Sequence, residues 1–330
     1  MLHSRTDIHD TPCMAADCSP LLIFRFNNPC YFAIMYNNSN QSYNPAWRDE
    51  SYTEIYIAVC VLNAVFSLTA FAGNFLVLGT IWTTPTLHKP TNILLLGLSL
   101  SDLAVGLLVQ PMFIVVLIWK ESLEYRRVFR FIQAFFISAT ILTLTSVSVD
   151  RCLALILHLR YVAVVTVKKT IIVLCLIWVA SVVYAATFLI DLGLHHTASL
   201  FVIALCIVVN TSTCSTIYRI CRRHRIQIQK QELPNQPEAF DMKRYKKSLI
   251  TMIVLLILLI ICYTPYICMR ALIAFTNWPI SPRRIFMLRW SASLIYLNSS
   301  INPLVYCWRI PAMRVAMKRF WRSLVHRHSA

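Results

Sequence analysis

The segment FRFIQAFFISATILTLTSVSVDRCLALILHLRY, Phe129–Tyr161, has no charged residue between Phe131 and Val149. Its apolar residues go all the way round a helix instead of forming one stripe, as in a helix surrounded by apolar material. About 20 helical residues cross the hydrocarbon core of a bilayer, so this segment predicts a membrane-spanning helix. Asp150 and Arg151 follow at its end, where a charge can find a partner or water. Taken alone, such a pair is most simply an ordinary flanking charge pair.

The composition places the whole chain in a membrane. Of its 330 residues 58% are hydrophobic and only 14% are charged, and the mean hydropathy is +0.61. Soluble domains carry about a quarter of charged residues, so a soluble fold is excluded. The formal net charge of +17 does not predict nucleic-acid binding, because the basic residues fall mostly in the connections between apolar segments.

Seven apolar spans follow one another, near residues 53–82, 90–118, 127–158, 170–191, 197–221, 244–274 and 284–307. Only α-helices and closed β-barrels cross lipid, and spans of this length exclude barrel strands. After the last span, Arg309–Val325 mixes basic and apolar residues in the pattern of an amphipathic helix on the inner membrane face. The sequence therefore predicts an all-α membrane protein: a seven-transmembrane helix bundle plus a short amphipathic helix.

This pattern divides the chain into an extracellular segment (1–52), a seven-transmembrane domain (53–307), and an amphipathic helix with a short cytoplasmic tail (308–330). With the N-terminus outside, 20 of the 31 Lys and Arg residues fall on the inner side, as the positive-inside rule requires. Glycosylation sequons at Asn37 and Asn40 agree with that orientation. We expect a multi-pass protein of the plasma membrane.

Twelve cysteines do not predict a disulfide framework here, since most lie in or beside apolar spans, where free Cys packs as a small hydrophobe. Three others, Cys13, Cys18 and Cys30, precede the first span, so at most one bridge can form among them.

Polar residues inside the spans are costly and usually have a partner or a function. Asp102, Thr140, Asn298, Ser299 and Asn302 all fall near mid-depth, so the bundle could gather them around the carboxylate. Oxygen ligands without thiolates suit a hard cation such as Na⁺. A hydrogen-bonded cluster without an ion is the alternative of about equal weight.

Short motifs on successive spans carry a family resemblance. They are Gly73-Asn74, Leu98-Ser99-Leu100-Ser101-Asp102, Asp150-Arg151-Cys152, Leu159-Arg160-Tyr161, Trp178, Cys262-Tyr263-Thr264-Pro265 and Asn302-Pro303-Leu304-Val305-Tyr306. Each is weak alone, but all stand in order on their proper spans. Over residues 53–325 the chain resembles the rhodopsin-like (class A) G-protein-coupled receptors.

The resemblance implies a receptor that passes binding of an extracellular ligand to heterotrimeric G proteins. Arg151 matches the arginine that leaves its neighbouring acid, Asp150, on activation, and Asp102 matches the acid of a sodium site. The remaining positions that the resemblance assigns to coupling and activation are Tyr218, Tyr306, Asn302, Pro303, Tyr263 and Pro265. Membrane lipids are further expected partners, and beyond a candidate Na⁺ we expect no cofactor.

The chain also departs from the family pattern. Tyr263 replaces the usual tryptophan of the sixth span, and Asn210 stands where the fifth span usually has proline. Arg126 replaces the usual cysteine, and the short loop expected at Leu192–Ala198 has none, so the usual disulfide cannot form. This combination resembles the branch of melanocortin, lysophospholipid, cannabinoid and adenosine receptors.

The resemblance argues against two ligand classes. Aminergic receptors pair the amine with an aspartate in the third span, where this chain has Gln133. Opsins hold retinal on a lysine of the seventh span, where this chain has Tyr296. The agonist itself, the G-protein subtype and the oligomeric state are not indicated.

The outer ends of the spans look cationic instead. The candidate ligand-binding residues are Arg130, Gln133, Tyr266, Arg270, Arg289 and Tyr296. We expect an anionic small molecule, lipid or peptide held by Arg130 and Arg270 through charge-assisted hydrogen bonds. The alternative is that these arginines extend to lipid headgroups or pair with nearby acids.

Three other functions remain open. A transporter or channel predicts internal repeats and a continuous polar path, and neither is seen. An enzyme predicts a nucleophile–base pair or metal-ligand spacing on the outer side, and these are also missing from the sequence. A non-signalling receptor-like scaffold is favoured only by the altered residues Tyr263 and Asn210.

Overall fold

A computed structural model describes residues 50–118, 122–157, 160–230, 238–275, 281–309 and 311–327. Eight helices account for nearly all of them: α1 Glu50–Thr83, α2 Pro90–Ile118, α3 Leu123–Leu157, α4 Val167–Ile190, α5 Leu192–Lys230, α6 Glu238–Phe275, α7 Pro282–Arg309 and α8 Pro311–Arg327. No strand occurs among the residues described. The predicted all-α bundle is confirmed. Asn37, Asn40, Cys13, Cys18 and Cys30 lie outside the described residues.

Six of the described helices, α1 to α6, are long and apolar enough to cross a membrane. Helix α7 has the length, 28 residues or about 42 Å, but is less apolar. Six polar residues of this helix are buried: Ser291, Ser293, Asn298, Ser299, Ser300 and Asn302. They face neighbouring helices instead of lipid, so α7 is the seventh span of the predicted bundle.

The connection between α4 and α5 corrects one prediction. The loop expected at Leu192–Ala198 is wrong, because these residues are helical and only Asp191 separates the two helices. Asp191 has extended backbone angles, and its Oδ1 accepts a hydrogen bond from the backbone N–H of Leu194 at 2.6 Å. This N-cap satisfies a backbone donor that the helix end leaves open, so α5 begins at once.

Helix α2 contains one π-helical turn, Val105–Val109, directly after the segment that carries Asp102. A Cβ atom on Gly106 would lie 2.9 Å from the backbone O of Ser67 and the backbone N of Phe71 in α1. The Ser67 hydroxyl donates a 2.6 Å hydrogen bond to the Gly106 carbonyl. Because Gly106 has no side chain, α1 approaches α2 closely enough to hydrogen-bond its irregular backbone.

Buried polar contacts join α1 to α7 along their length. The Asn63 amide donates to the Ser293 hydroxyl at 2.8 Å, and the Asn74 amide donates to the Ser299 carbonyl at 3.1 Å. Between them the Ser300 hydroxyl donates to the carbonyl of Phe66 at 2.8 Å. In lipid, helices associate through such hydrogen bonds and close packing, because lipid tails are as apolar as leucine.

Helix α8 packs beside α1 and the end of α7, as the amphipathic pattern predicts. Met313, Ala316 and Met317 are buried on one face. The Phe320 ring occupies the space of the missing side chain of Gly79, where a Cβ would meet its ring atoms.

Candidate functional site

The inner end of α3 holds an ion pair. Arg151 Nη2 lies 3.3 Å from Asp150 Oδ2, and the carboxylate is 5% exposed whereas the arginine is 32% exposed. A carboxylate so deeply buried needs several partners to stay charged. Besides Arg151, two residues from other parts of the chain donate hydrogen bonds to this carboxylate.

Thr91 at the start of α2 donates its hydroxyl to Asp150 Oδ2 at 2.7 Å, and the Tyr161 hydroxyl donates to Asp150 Oδ1 at 2.6 Å. Tyr161 opens a one-turn helix, Tyr161–Val164, in the connection to α4. Burial and the nearby Asp150 raise the pKa of Tyr161, so the phenol remains a donor at neutral pH. Sequence reasoning missed Thr91. Its place directly after Pro90, at the first turn of α2, was the available signal.

The structure does not bring Tyr218 and Tyr306 together around Arg151. Tyr218 is 56% exposed on α5. Tyr306 is buried in the core between the helices, and its hydroxyl has no hydrogen-bond partner among the described residues. Arg151 instead forms an ion pair with Asp150.

The mid-bundle cluster forms around Asp102 as expected. Thr140 Oγ1 donates to Asp102 Oδ1 at 3.0 Å and also lies 3.0 Å from Ser101 Oγ. Asn302 Nδ2 donates to Asp102 Oδ2 at 2.7 Å, and Ser299 hydrogen-bonds the same carboxylate. The cluster therefore joins α2, α3 and α7. Asn298 is buried on α7, but no contact links it to Asp102.

Several oxygens near the cluster are buried without a hydrogen bond in the described part of the chain: Asn74 Oδ1, Asn302 Oδ1 and Tyr306 OH. Buried polar atoms ordinarily have a partner in the protein, in ordered water or in an ion. The described residues hold no group of three His, Cys, Asp or Glu, so a transition-metal site has no support there. One carboxylate with hydroxyl and amide oxygens fits a hard monovalent cation.

Two prolines lie inside continuous helices, Pro265 in α6 and Pro303 in α7. A Cβ on Gly73 would lie 2.9 Å from Pro303 Cγ, so glycine lets α1 contact the proline ring directly. Tyr263, which replaces the tryptophan of the family, is 3% exposed and packs in the main apolar cluster.

Asn210 makes a contact that the usual proline could not make. Its Nδ2 donates to the Thr145 hydroxyl in α3 at 2.9 Å and to the Cys206 carbonyl at 2.8 Å. The residue is 3% exposed. A buried polar side chain thus ties α3 to α5 where the family pattern expects a helix irregularity.

Between the Asp102 cluster and the end of the bundle opposite Arg151, Gln133 and Tyr296 form a hydrogen bond. Gln133 Nε2 donates to the Tyr296 hydroxyl at 2.6 Å, and the tyrosine is fully buried. The Phe113 ring packs edge-on against Tyr296, with ring centroids 5.1 Å apart. The position that pairs an amine in aminergic receptors is therefore neutral and already occupied by an internal hydrogen bond.

A cationic and aromatic cluster lies at the end of the bundle opposite Arg151 and involves α3, α4, α5 and α6. The Arg130 guanidinium lies 5.5 Å from the centre of the Phe188 ring, within cation–π range. His195 Nδ1 lies 3.0 Å from Thr187 Oγ1, and its ring packs against Tyr184 and Phe188 at 5.0 and 5.7 Å. These contacts fill the space beside Arg130 with aromatic surface.

Arg270 in α6 belongs to the same cluster. It interacts electrostatically with Arg130 and with His195, and Tyr266 is a further electrostatic neighbour of Arg130. Arg289 does not join them in the described contacts, since its guanidinium lies over the ring of Tyr56 at 5.7 Å. The two arginines of the expected clamp are therefore electrostatic neighbours, and the third is at the α1–α7 side.

The pKa of His195 is sensitive to the positive charge of this cluster. It precedes the membrane-spanning part of α5, Thr197–Arg223. Burial, Arg270 and Arg130 together lower the pKa of His195 from 6.5 to about 4, while a backbone hydrogen bond with Tyr184 opposes them. The imidazole is therefore neutral at pH 7, and the surrounding potential is positive.

Comparison with known proteins decides the family. The sequence profile described as "7 transmembrane receptor (rhodopsin family)" matches residues 73–197 and 191–306. The chain belongs to this family. It is a G-protein-coupled receptor, a multi-pass protein of the plasma membrane whose partners are a heterotrimeric G protein and an extracellular ligand.

Individual relatives are distant. Trace amine-associated receptor 9 of Rattus norvegicus is 26% identical over 88% of this chain and 92% of its own length. Trace amine-associated receptor 1 of Mus musculus is 24% identical over 83% of this chain and 90% of its own length. Adenosine receptor A3 of Ovis aries is 33% identical, but over only 42% of this chain and 43% of its own length.

The expected receptor class is thus confirmed, and these relatives are receptors, not enzymes. The branch within the class stays a prediction, because the adenosine receptor matches less than half of the chain whereas the trace amine-associated receptors match most of it.

The pKa of His195 yields a stability prediction. Folding lowers the pKa of His195 from 6.5 to about 4. The folded receptor therefore keeps its full stability above pH 6.5 and loses stability as the pH falls toward 4. At pH 5 the expected loss is about 2 kcal/mol relative to pH 7.5. Thermal unfolding of the purified receptor at both pH values, compared with His195→Gln, measures it. An equal acid-induced loss in the variant would contradict the positive potential.

Proposed function

We propose that this receptor responds to an anionic extracellular ligand, bound at the outer ends of α3 to α6, and signals to its G protein through Arg151. The N-terminus is then outside, and the basic inner connections flank the G-protein site. The observation that carries the proposal is the pairing of Arg130 and Arg270 in one aromatic-lined cluster.

Two like charges held close together repel each other, and the repulsion grows as water is excluded. A carboxylate or phosphate between Arg130 and Arg270 would offset it and accept charge-assisted hydrogen bonds from both guanidinium groups. Asp191, one of the acids that could compete for them, uses one carboxylate oxygen to cap α5. Phe188, Tyr184 and Tyr266 supply apolar and aromatic surface for the body of the ligand.

An amine ligand is disfavoured by the same geometry, although the relatives named above are trace amine-associated receptors. Gln133 offers no negative charge, and its amide is engaged by Tyr296. A cation entering this end of the bundle would also approach Arg130 and Arg270 against their charge.

Coupling follows from the ion pair at the inner end. The structure has Arg151 paired with Asp150, and Thr91 and Tyr161 stabilise that carboxylate. These two hydrogen bonds fix the Asp150 carboxylate in the position in which it pairs with Arg151, so the loss of one of them should loosen the hold on the arginine. The Thr91–Asp150–Tyr161 contacts thus act as a brake on the active state.

The Asp102 cluster is proposed to hold Na⁺ in this inactive arrangement. Asp102 would supply the charge, and Thr140 and Ser299 would supply hydroxyl oxygens. The unpartnered Asn302 Oδ1 supports a further ligand in the same cluster. The ion would add a positive charge beside the buried carboxylate and stabilise the paired helices α2, α3 and α7.

If the Thr91–Asp150–Tyr161 contacts act as a brake, removal of the Tyr161 hydroxyl should raise basal signalling. Tyr161→Phe removes one hydrogen bond to a charged group, worth about 1.5–3 kcal/mol, and should raise basal nucleotide exchange on the G protein several-fold. Exchange is measured across the main Gα classes at equal surface expression, with Arg151→Ala as the inactive reference. Unchanged exchange in Tyr161→Phe, with exchange by the wild type above that of Arg151→Ala, would show that Tyr161 is not part of the brake.

The clamp predicts a charge-specific loss of potency. A screen with a fatty acid, lysophosphatidic acid and an acidic peptide identifies an activating anion. Arg130→Ala and Arg270→Ala should each weaken it by at least about 1 kcal/mol, or five-fold. Arg127→Ala removes the same charge three residues from Arg130, at a side chain outside the contacts that join Arg130 to Phe188 and Arg270, and serves as the control. Full potency in both clamp variants, or an equal loss in the control, would refute the clamp.

The sodium site predicts a salt effect. In wild-type receptor, 150 mM NaCl should raise the unfolding temperature above that in equimolar N-methylglucamine chloride, because the ion binds the folded state. Asp102→Asn should abolish the difference, and Thr140→Val should reduce it. The same difference in wild type and Asp102→Asn would leave the cluster as a hydrogen-bonded network without an ion.

A further inference from the structure

His195 lies in the first turn of α5, beside the last turns of α4. Its ring packs against Tyr184 and Phe188, with ring centroids 5.0 and 5.7 Å apart. The Arg130 guanidinium lies 5.5 Å from the centre of the same Phe188 ring. The imidazole and one arginine of the expected clamp therefore contact the same aromatic ring, so a charge on one is felt by the other.

The hydrogen bonds of Thr187 fix which nitrogen of the neutral imidazole carries the proton. The Thr187 hydroxyl donates its single hydrogen to the Tyr184 carbonyl at 2.6 Å. Its oxygen lies 3.0 Å from His195 Nδ1 and has no second hydrogen to give. Nδ1 is therefore the donor in this contact. The lone pair of the neutral ring is on Nε2, and an added proton binds there.

The charges that act on this imidazole come from two other helices. Burial, then Arg270 in α6 and then Arg130 in α3 disfavour the protonated ring. Tyr184 in α4 contributes a neutral phenol. Asp191, the nearest acid along the chain, uses one carboxylate oxygen to cap the start of α5. Both arginines carry a positive charge that opposes a further positive charge on His195.

An anion at the clamp would change this balance. It would offset the charges of Arg130 and Arg270 and would itself attract a positive imidazole. The pKa of His195 would then rise from about 4 toward its ordinary value of 6.5. Because the ring stays buried, we expect a pKa of about 6 to 6.5 in the anion complex.

We propose that the receptor takes up one proton at His195 when it binds its anion, so that a mildly acidic extracellular medium strengthens binding. This inference rests on the proposed function, since it requires an anion at Arg130 and Arg270. The proton comes from the medium and binds the Nε2 lone pair, and no bond of the ligand breaks. The imidazolium adds a third positive group to the cluster and a new N–H donor.

The size of the effect follows from linkage, by which binding and protonation favour each other equally. At pH 7.5 the ring is largely neutral with and without the anion, whereas at pH 5.5 it is protonated mainly in the complex. Affinity should therefore be about four- to ten-fold higher at pH 5.5 than at pH 7.5. Each bound anion should take up about 0.7 to 0.9 protons at pH 5.5.

The test uses the full-length receptor in nanodiscs of phosphatidylcholine, with hexyl sulfate as the anion. A sulfate ester keeps its charge between pH 5.5 and 7.5, so any pH dependence comes from the receptor. Calorimetric titrations at both pH values give the affinity. Titrations in two buffers of different ionisation enthalpy give the proton uptake. Wild type should show the gain in affinity and the uptake given above.

Two histidine variants assign the proton. His195→Gln keeps a hydrogen-bonding side chain that does not titrate in this range. Its affinity should change less than about two-fold between the two pH values, and its proton uptake should vanish. His196→Gln removes the adjacent imidazole of the sequence and is the matched control, so it should keep the pH dependence and the uptake of wild type. An unchanged unfolding temperature at pH 7.5 shows that each variant has folded.

The outcomes separate this inference from the proposed function. Binding by wild type with equal affinity at both pH values, or without proton uptake, would overturn the linkage and leave the anion site standing. A pH dependence that persists in His195→Gln would also overturn it. Absence of hexyl sulfate binding at either pH would overturn the anion site and the linkage together. The proton uptake of wild type decides the linkage even if a variant does not fold.

Discussion

The buried carboxylate of Asp102 is the constraint on which the middle of the bundle depends. A charge or acid at that depth is tolerated only if other groups satisfy it, and here Thr140 from α3 and Asn302 from α7 donate to its two oxygens. Because the partners come from different helices, satisfying one side chain sets the relative positions of three. The π turn of α2 follows directly after Asp102 and keeps the helix close to α1.

The rest of the packing follows the same rule. Inside lipid, apolar burial does not favour one helix arrangement over another as strongly as it does in water, so specific contacts decide. Gly73 lets α1 contact Pro303, and Gly106 lets α1 and α2 approach at the backbone. Asn63, Ser300 and Asn74 add hydrogen bonds along the α1–α7 interface. Helix α7 can therefore be the least apolar of the seven and still cross the membrane.

The candidate sites at the two ends of the bundle differ in charge: one holds an ion pair, and the other holds two neighbouring positive charges. At the inner end Arg151 is paired with a carboxylate that accepts two further hydrogen bonds, so the potential is balanced. At the outer end Arg130 and Arg270 are electrostatic neighbours, and they help to keep His195 neutral. In the proposed mechanism, an anion beside Arg130 and Arg270 would remove a repulsion, whereas release of Arg151 would break an attraction. The Asp102 cluster lies between these ends and connects the helices on which a change at one could reach the other.

The sequence by itself determined the number, order and approximate bounds of the helices, because a length of about 20 apolar residues is dictated by bilayer thickness and needs no tertiary information. It predicted that the bundle could gather Asp102, Thr140, Asn298, Ser299 and Asn302, since polar groups at equal depth have few other partners, and the structure brings all of these but Asn298 into hydrogen bonds with Asp102. It missed Thr91, because a threonine at a helix start has an ordinary local role and only the fold brings it to Asp150. It placed a loop at Leu192–Ala198, where the Asp191 cap lets the helix begin at once. Tertiary structure alone decided that Gln133 is engaged by Tyr296, that Arg289 lies on Tyr56 and that Arg130 and His195 contact the same ring of Phe188. Each of these depends on distances between side chains far apart in the chain, which neither periodicity nor composition contains.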